Sequence, residues 1–234
     1  MHTTDQPVGA ALDGWTPPAH PARDVLRGRL CRLEPLDAAT HAGALFDANS
    51  TDDAGRMWTY LGYGPFESRE NYRAWIELNS RGGDPLFFAI VDNRSDRATG
   101  VAAFLRIDPP NGVIEIGHLA YSPVLQRTAA ATEAIYLMLK RVFEAGWRRC
   151  EWKCNVLNAP SRAAAERLGF TLEGIFRQAA VVKGRNRDTA WYSIIDTEWP
   201  ARRMAFERWL APENFDANGR QRASLSTFMP SPAA

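Results

Sequence analysis

The stretch V113-I-E-I-G-H-L-A-Y-S-P-V-L-Q-R-T-A-A-A-T-E-A gathers residue types that can do chemistry. An apolar strand carrying Glu115 and His118 on opposite parities runs into a turn of tiny residues, and a strong helix follows at once. Such a junction aims several backbone N–H groups outward together with the positive end of a helix dipole. That is the make-up of an anion site, and a diphosphate suits it. Many strand–loop–helix units have the same make-up and are ordinary crossovers, so the residues alone leave both readings open.

A second block follows, N155-V-L-N158-A-P-S161-R-A-A-A-E-R-L-G169-F170-T-L-E-G174. Asn158 ahead of Pro160 is a capping arrangement, with Ser161 in the first helical turn. Q126-R-T-A129-A-A131-T-E-A resembles the Q/R-x-x-G-x-G/A loop of the GNAT acetyltransferases. The second block is similar to the N-x-x-S…A-x-x-x-G-F-x-x-E-G block of their RimJ/RimL-like branch, the ribosomal-protein N-terminal acetyltransferases. Both blocks at this separation, with the element order from residue 28 to 197, carry the resemblance over roughly three quarters of the chain.

The resemblance implies an α/β (α+β) fold. Its sheet is central, mixed and mostly antiparallel, flanked by helices, with a splayed strand pair holding acetyl-CoA. The implied activity is acetyl transfer from acetyl-CoA to a primary amine by direct attack, without a metal; the amine belongs to a protein N-terminus or a small molecule. It places Gln126, Arg127, Thr128, Ala129, Ala130, Ala131 and Thr132 on the coenzyme pyrophosphate, and Leu119 and Tyr121 as backbone donors toward the thioester. Asn158 would contact the pantetheine, and Ser161 would sit near the sulfur. Glu115 is the candidate general base, directly or through a water, and shares parity with Gly117, Leu119 and Tyr121. His118, on the parity of Ile114, Ile116 and Ala120, is expected to pack under the adjoining helix. Two departures stand out: Ala129 occupies a position that is usually glycine, and Ala165 one where many relatives carry a tyrosine acid. They favour the alternative of a non-catalytic acyl-CoA binding module.

On the acceptor side, Trp58, Tyr60 and Tyr63, with Phe66, would line a pocket or serve as core. V182-K183-G184-R185-N186-R187-D188 reads as a basic hairpin turn, either solvated or lying over the substrate groove.

The 234 residues are 45% hydrophobic and 24% charged, with a net charge of +1, so no global field favours nucleic acid or a membrane surface. No apolar run approaches the roughly 18 residues of a spanning helix, and the cytoplasm is the default address. Cys31, Cys150 and Cys154 lack metal-ligand spacing and read as small buried side chains.

Periodicity predicts strands at 28–34, 86–91, 99–107, 113–121, 148–154, 170–180 and 189–197. It predicts helices after the caps Asp37 and Ser68, at 131–145 and 160–168, and from Pro200. Residues 1–24, rich in Pro and Gly, read as an arm that lies on the surface or stays mobile, and 25–199 as the GNAT domain. Residues 200–234 read as a helix and a loose tail, with Phe206 and Trp209 offering a contact for a homodimer.

Overall fold

A computed structural model describes residues 6–230. The elements in chain order are β1 (Leu26–Arg27), β2 (Cys31–Pro35), α1 (Ala38–Asn49), α2 (Arg69–Asn79), β3 (Leu86–Asp92), β4 (Arg97–Asp108) and β5 (Val113–Tyr121). Then come α3 (Ala129–Glu144), β6 (Arg149–Asn155), α4 (Ala159–Arg167), β7 (Thr171–Val182), β8 (Arg185–Ile195), α5 (Trp199–Leu210) and α6 (Leu225–Phe228). The strands form one eight-stranded sheet in the order β1-β2-β3-β4-β5-β6-β8-β7. Every neighbouring pair is antiparallel except β5 and β6, which run parallel.

The helices begin where side-chain oxygens can satisfy orphan amides. Asp37 accepts from Thr40 N at 2.8 Å, Ser68 from Asn71 N at 3.2 Å, Thr128 from Ala131 N at 3.1 Å and Asn158 from Ser161 N at 3.2 Å. Gly146, at φ 86°, stops α3 in the left-handed conformation its place requires. The alternating strands present two apolar faces. One is covered by α3, α4 and α5, with Ile114, Ile116, Trp152, Cys154, Tyr192 and Phe206 among its buried residues. The other is covered by α1 and α2, with Leu45, Trp58, Tyr72, Ile76, Phe87 and Ala103. Each large side chain so buried stabilises the fold by roughly 1.5–3 kcal/mol before entropy is counted.

A buried carboxylate locks the first hairpin onto α3. Glu133 accepts from the amides of Arg29, Leu30 and Cys31 at 3.0, 2.6 and 2.8 Å. A Cβ on Gly28 would stand 2.5 Å from that carboxylate, which is why the turn carries no side chain there.

Several expectations change. The predicted first strand at 28–34 is split by the turn that Glu133 holds. The 182–188 hairpin turn shrinks to Lys183–Gly184, both at positive φ (49° and 71°), and Arg185 onward is strand. Residues 6–24 lie along the surface: Trp15 packs on Gly112, with the Arg148 guanidinium over its ring, and the Arg23 guanidinium donates to the carbonyls of Ser80 and Gly82. The tail is packed as far as Met229. The Asn214 side chain bonds Trp209 O, Ala223 O and Ala223 N, and α6 rests on α5. A polar-rich segment folds here because one asparagine amide supplies the turns that apolar periodicity would have signalled elsewhere. Phe206 and Trp209 are 0% and 4% exposed, so they belong to this chain's core and offer no dimer contact.

Candidate active site

Strands β5 and β6 pair only at Val113↔Arg149, Ile114↔Cys150 and Glu115↔Glu151. Beyond Glu115 the β5 edge facing β6 has no strand partner among the described residues, so a gap opens between two adjacent strands. On its other edge β5 carries a bulge. Ala103 pairs with Gly117 and Val101 with Ala120, so two residues, His118 and Leu119, oppose Ala102 alone. His118 takes up the extra residue at φ 50°.

The bulge changes which side chains share a face, because one added residue reverses the alternation. Before it, Glu115 and Gly117 lie on the α1–α2 face, opposite Leu105 and Ala103. After it, Leu119 and Tyr121 pack against the α3 core, while Ala120 belongs to the α1–α2 core. His118 joins Glu115's face, with its ring stacked on Tyr63 (centroids 5.7 Å apart) and 4.9 Å from that of Phe87. The expectation of His118 under the adjoining helix, and of Glu115 sharing a face with Leu119 and Tyr121, is therefore corrected. Burial, helped by the charges of Arg106 and Arg187, lowers the His118 pKa to about 4, so the ring is neutral near pH 7.

Glu115 is 3% exposed, and its Oε2 takes both Arg106 Nη1 at 2.6 Å and Lys153 Nζ at 3.1 Å. Lys153 also meets Glu151 at 2.6 Å and lies 3.7 Å from the centroid of the Trp191 ring. Arg149 continues the chain of charges to Glu151 and Glu173. Glu115 Oε1 receives no bond from these cations and overlies Gly117, where an added Cβ would meet it at 3.4 Å.

On the opposite face the loop between β5 and α3 winds through Arg127 at φ 61°. The amides of Ala129 and Ala130, the first two positions of α3, have no carbonyl partner among the described residues. Ala131 N is taken by Thr128 Oγ1, and the Thr132 hydroxyl is buried and receives Arg167 Nη2 at 3.0 Å. Of the seven-residue phosphate loop expected from sequence, Ala131 and Thr132 therefore serve the local structure. Gln126 also turns inward, donating from Nε2 to Tyr121 O at 2.8 Å. Ala129 is helical, so its backbone needs no glycine conformation, and its departure from glycine amounts to one methyl group at the start of α3. Two surface hollows of about 600 and 480 Å³ flank this helix start, one lined by Arg29, Arg94 and Ala129, the other by Leu125, Thr128 and Ala130.

The Acetyltransferase (GNAT) domain family matches residues 30–171. The chain belongs to the GNAT acetyltransferase family. The ribosomal-protein-serine acetyltransferase of Escherichia coli is 30% identical over 134 residues, covering 56% of this chain and 73% of that protein. The crystal structure of a GCN5-related N-acetyltransferase from Brucella melitensis superposes with a TM-score of 0.91 at 50% identity, over 93% of this chain and 99% of that one. A probable GNAT acetyltransferase from Chromobacterium violaceum follows, with a TM-score of 0.78 at 43% identity over 84% and 98% of the two chains. The protein is thus an acetyl-CoA-dependent acetyltransferase of the RimJ/RimL-like kind. Among the described residues none of its helices is long and apolar enough to cross a membrane, and no cluster of side chains is fit to hold a metal ion.

In this acetyltransferase, Ser161 and Glu115 stand on opposite faces of the sheet. Ser161 Oγ accepts from Trp152 Nε1 at 3.0 Å beneath α4, whereas Glu115 meets Lys153 on the other side of β6. Asn158 caps α4 with its Oδ1. The three cysteines are buried and free, and burial raises every thiol pKa, so none is a ready nucleophile.

The Glu115 face is roofed by the segment from Gly55 to Phe66. Lys183, at the tip of the β7–β8 hairpin, donates to the carbonyls of Trp58 and Gly64 at 2.9 and 2.8 Å. Tyr60 Oη donates to Leu157 O at 3.0 Å, beyond the end of β6. Of the three aromatic residues expected to line a pocket, Tyr63 reaches His118, and Tyr60 spans from the roof to the β6–α4 loop. The Trp58 ring is buried among Tyr63, Phe66 and Tyr72 and is core. Sequence reasoning passed over Arg106 and Lys153 entirely; their signal was a cation on each neighbouring strand facing a carboxylate on β5, which needs the register to be seen.

Proposed function

We propose that the chain acetylates a primary amine by direct attack, with the amine entering on the Glu115 face of the gap between β5 and β6. The observation that carries this reading is the end of β5–β6 pairing at Glu115↔Glu151, which opens a slot beside a carboxylate with one oxygen unclaimed. When bound, the coenzyme supplies an acyl thioester already activated toward amines. The free amides of Ala129 and Ala130, with the helix dipole behind them, fit its pyrophosphate.

The protein's own residues then position groups and move protons. Glu115 Oε1 takes the proton of the attacking amine through a water. Arg106 and Lys153 hold that carboxylate in one orientation by gripping its other oxygen. Ser161, on the far face, gives its hydroxyl proton to the departing thiolate and regains one from water. An α-amine titrates near 8, so a water-mediated carboxylate has only a modest proton to remove. The buried, protonated thiols favour direct attack over an acyl-cysteine intermediate. The name of the Escherichia coli relative, a ribosomal-protein-serine acetyltransferase, supports a protein as one acceptor class, its N-terminus being the amine, and a small-molecule amine is the other.

Glu115→Gln tests the assignment. The variant should lose about 100-fold in kcat, a typical share for general-base help, and bind coenzyme as before. A wild-type rate with a wild-type pH profile would remove Glu115 from the mechanism.

A further inference from the structure

Arg187 is a charge without a counterpart. It lies on β8, two residues beyond Thr189, where β6 stops pairing at Asn155↔Thr189. Strand β8 alternates from Ala190 on: Ala190, Tyr192 and Ile194 enter the α3 core, and Trp191 and Ser193 lie on the opposite face with Lys153. Arg187 has their parity, past the register shift at Phe176/Ala180, and its charge bears on the His118 ring of that face. Arg187 is half-buried, and its Nε is sealed from solvent with no hydrogen-bond partner among the described residues. No carboxylate pairs with it among them either, whereas the cations around Glu115 are paired: Arg106 and Lys153 with Glu115, and Arg149 with Glu151 and Glu173.

Its charge reaches both walls of the gap. It bears on the His118 ring at the β5 bulge and on the Cys154 thiol near the end of β6. Two other polar groups nearby are also buried without partners, Trp191 Nε1 on the same face and Tyr63 Oη against His118. An indole and a guanidinium can only donate. A buried cation left alone is costly, and a guanidinium fork is matched in shape to carboxylate and phosphate oxygens. The unmet demand of this surface is for acceptor oxygens with negative charge. The coenzyme does not meet it from the thioester end, because its pantetheine arm is uncharged between the sulfur and the pyrophosphate, and the free amides that suit the pyrophosphate lie at the start of α3.

We propose that the acceptor is an amine that also carries a carboxylate or phosphate close to the amino group, and that Arg187 is the residue that recognises this anion. The inference rests on the amine-acetylating reading and narrows its substrate class. Neutral His118 and Tyr63 form the apolar wall beside the anion, and Glu115 remains at the amine.

The test separates recognition from turnover. Calorimetry on the protein saturated with coenzyme A compares O-phosphoethanolamine with ethanolamine, and an amino acid with its carboxamide. The same pairs are then run as acceptors with acetyl-CoA. The anionic member of at least one pair should bind about tenfold or more tightly than its neutral twin, and which pair responds identifies phosphate or carboxylate as the anion. In Arg187→Gln that ratio should fall toward one, and Arg187→Lys should restore part of it. The affinity for coenzyme A should stay unchanged in both variants. Comparing the ratio between wild type and variant cancels any difference in amine basicity. Equal binding within both pairs, or a preference that survives Arg187→Gln, overturns the proposal. Selective binding of the anionic compounds without acetylation of any amine would leave the anion site standing and overturn the amine-acetylating reading.

Discussion

The two sides of the gap between β5 and β6 are built from different materials. Toward α3, the unpartnered polar groups are backbone amides at Ala129 and Ala130, set by a threonine cap and small side chains. Toward α1 and α2, they are side chains: Glu115, His118, Lys153, Arg106 and Arg187, gathered from four strands, with Tyr63 from the roof. Amides at a helix start need no partner to be stable in water. Charges on a half-buried sheet face must be matched within the protein or left waiting for a ligand. The first arrangement suits a cofactor that never changes, and the second can be retuned one residue at a time.

The sharpest way to break this contrast is Lys153→Met. It leaves Glu115 and Glu151 buried with one cation each, and the urea midpoint should report a loss of about 3–5 kcal/mol. A loss below about 1 kcal/mol would mean that the charged side is as forgiving as the amide side.

The next effect is in pH. Because the His118 pKa falls from 6.5 to about 4 on folding, acid gives the unfolded chain a proton that the folded chain refuses. Stability should therefore fall as pH drops through that interval, by up to roughly 3 kcal/mol, and owe nothing to this group above it. His118→Gln should flatten the slope between those pH values in a series of denaturant titrations.

On the amide side the effects shrink. Thr128→Ala should cost about 1 kcal/mol of stability, the usual worth of an N-cap, and weaken coenzyme binding, read by calorimetry. Ala129→Gly should move the KM for acetyl-CoA by no more than about threefold, because the residue is helical and needs no glycine conformation. A tenfold improvement would instead show that the alanine methyl group holds the phosphate away.

What the sequence revealed follows the same division. The α3 start was readable as a motif, since neighbouring residues make the whole structure and the caps declare it. Apart from the split first hairpin, helices and strands were placed to within a few residues of their bounds, because their faces repeat with regular periods. The acceptor face was not readable. Glu115 was found, but its partners come from β4 and β6, and the bulge at His118 reversed the parity on which its neighbours had been assigned. Periodicity carries no mark for an inserted residue; Gly117 marks the strand as open to distortion, but not that its neighbour His118 is the added residue or that the faces beyond it reverse. The tail failed for a similar reason: Asn214 builds it through side-chain bonds that have no period.

The bulge at His118 works on the strand as a frameshift works on a message. Losing one residue between Gly117 and Ala120 would leave the strand, the sheet order and the α3 junction in place. Were Leu119 the one lost, His118 would take its place opposite Ala102 and turn to the far side of the sheet, while Ala120 and Tyr121 kept their faces. Members of one fold could in this way exchange the lining of the amine's chamber in a single evolutionary step, without altering the cradle for the donor.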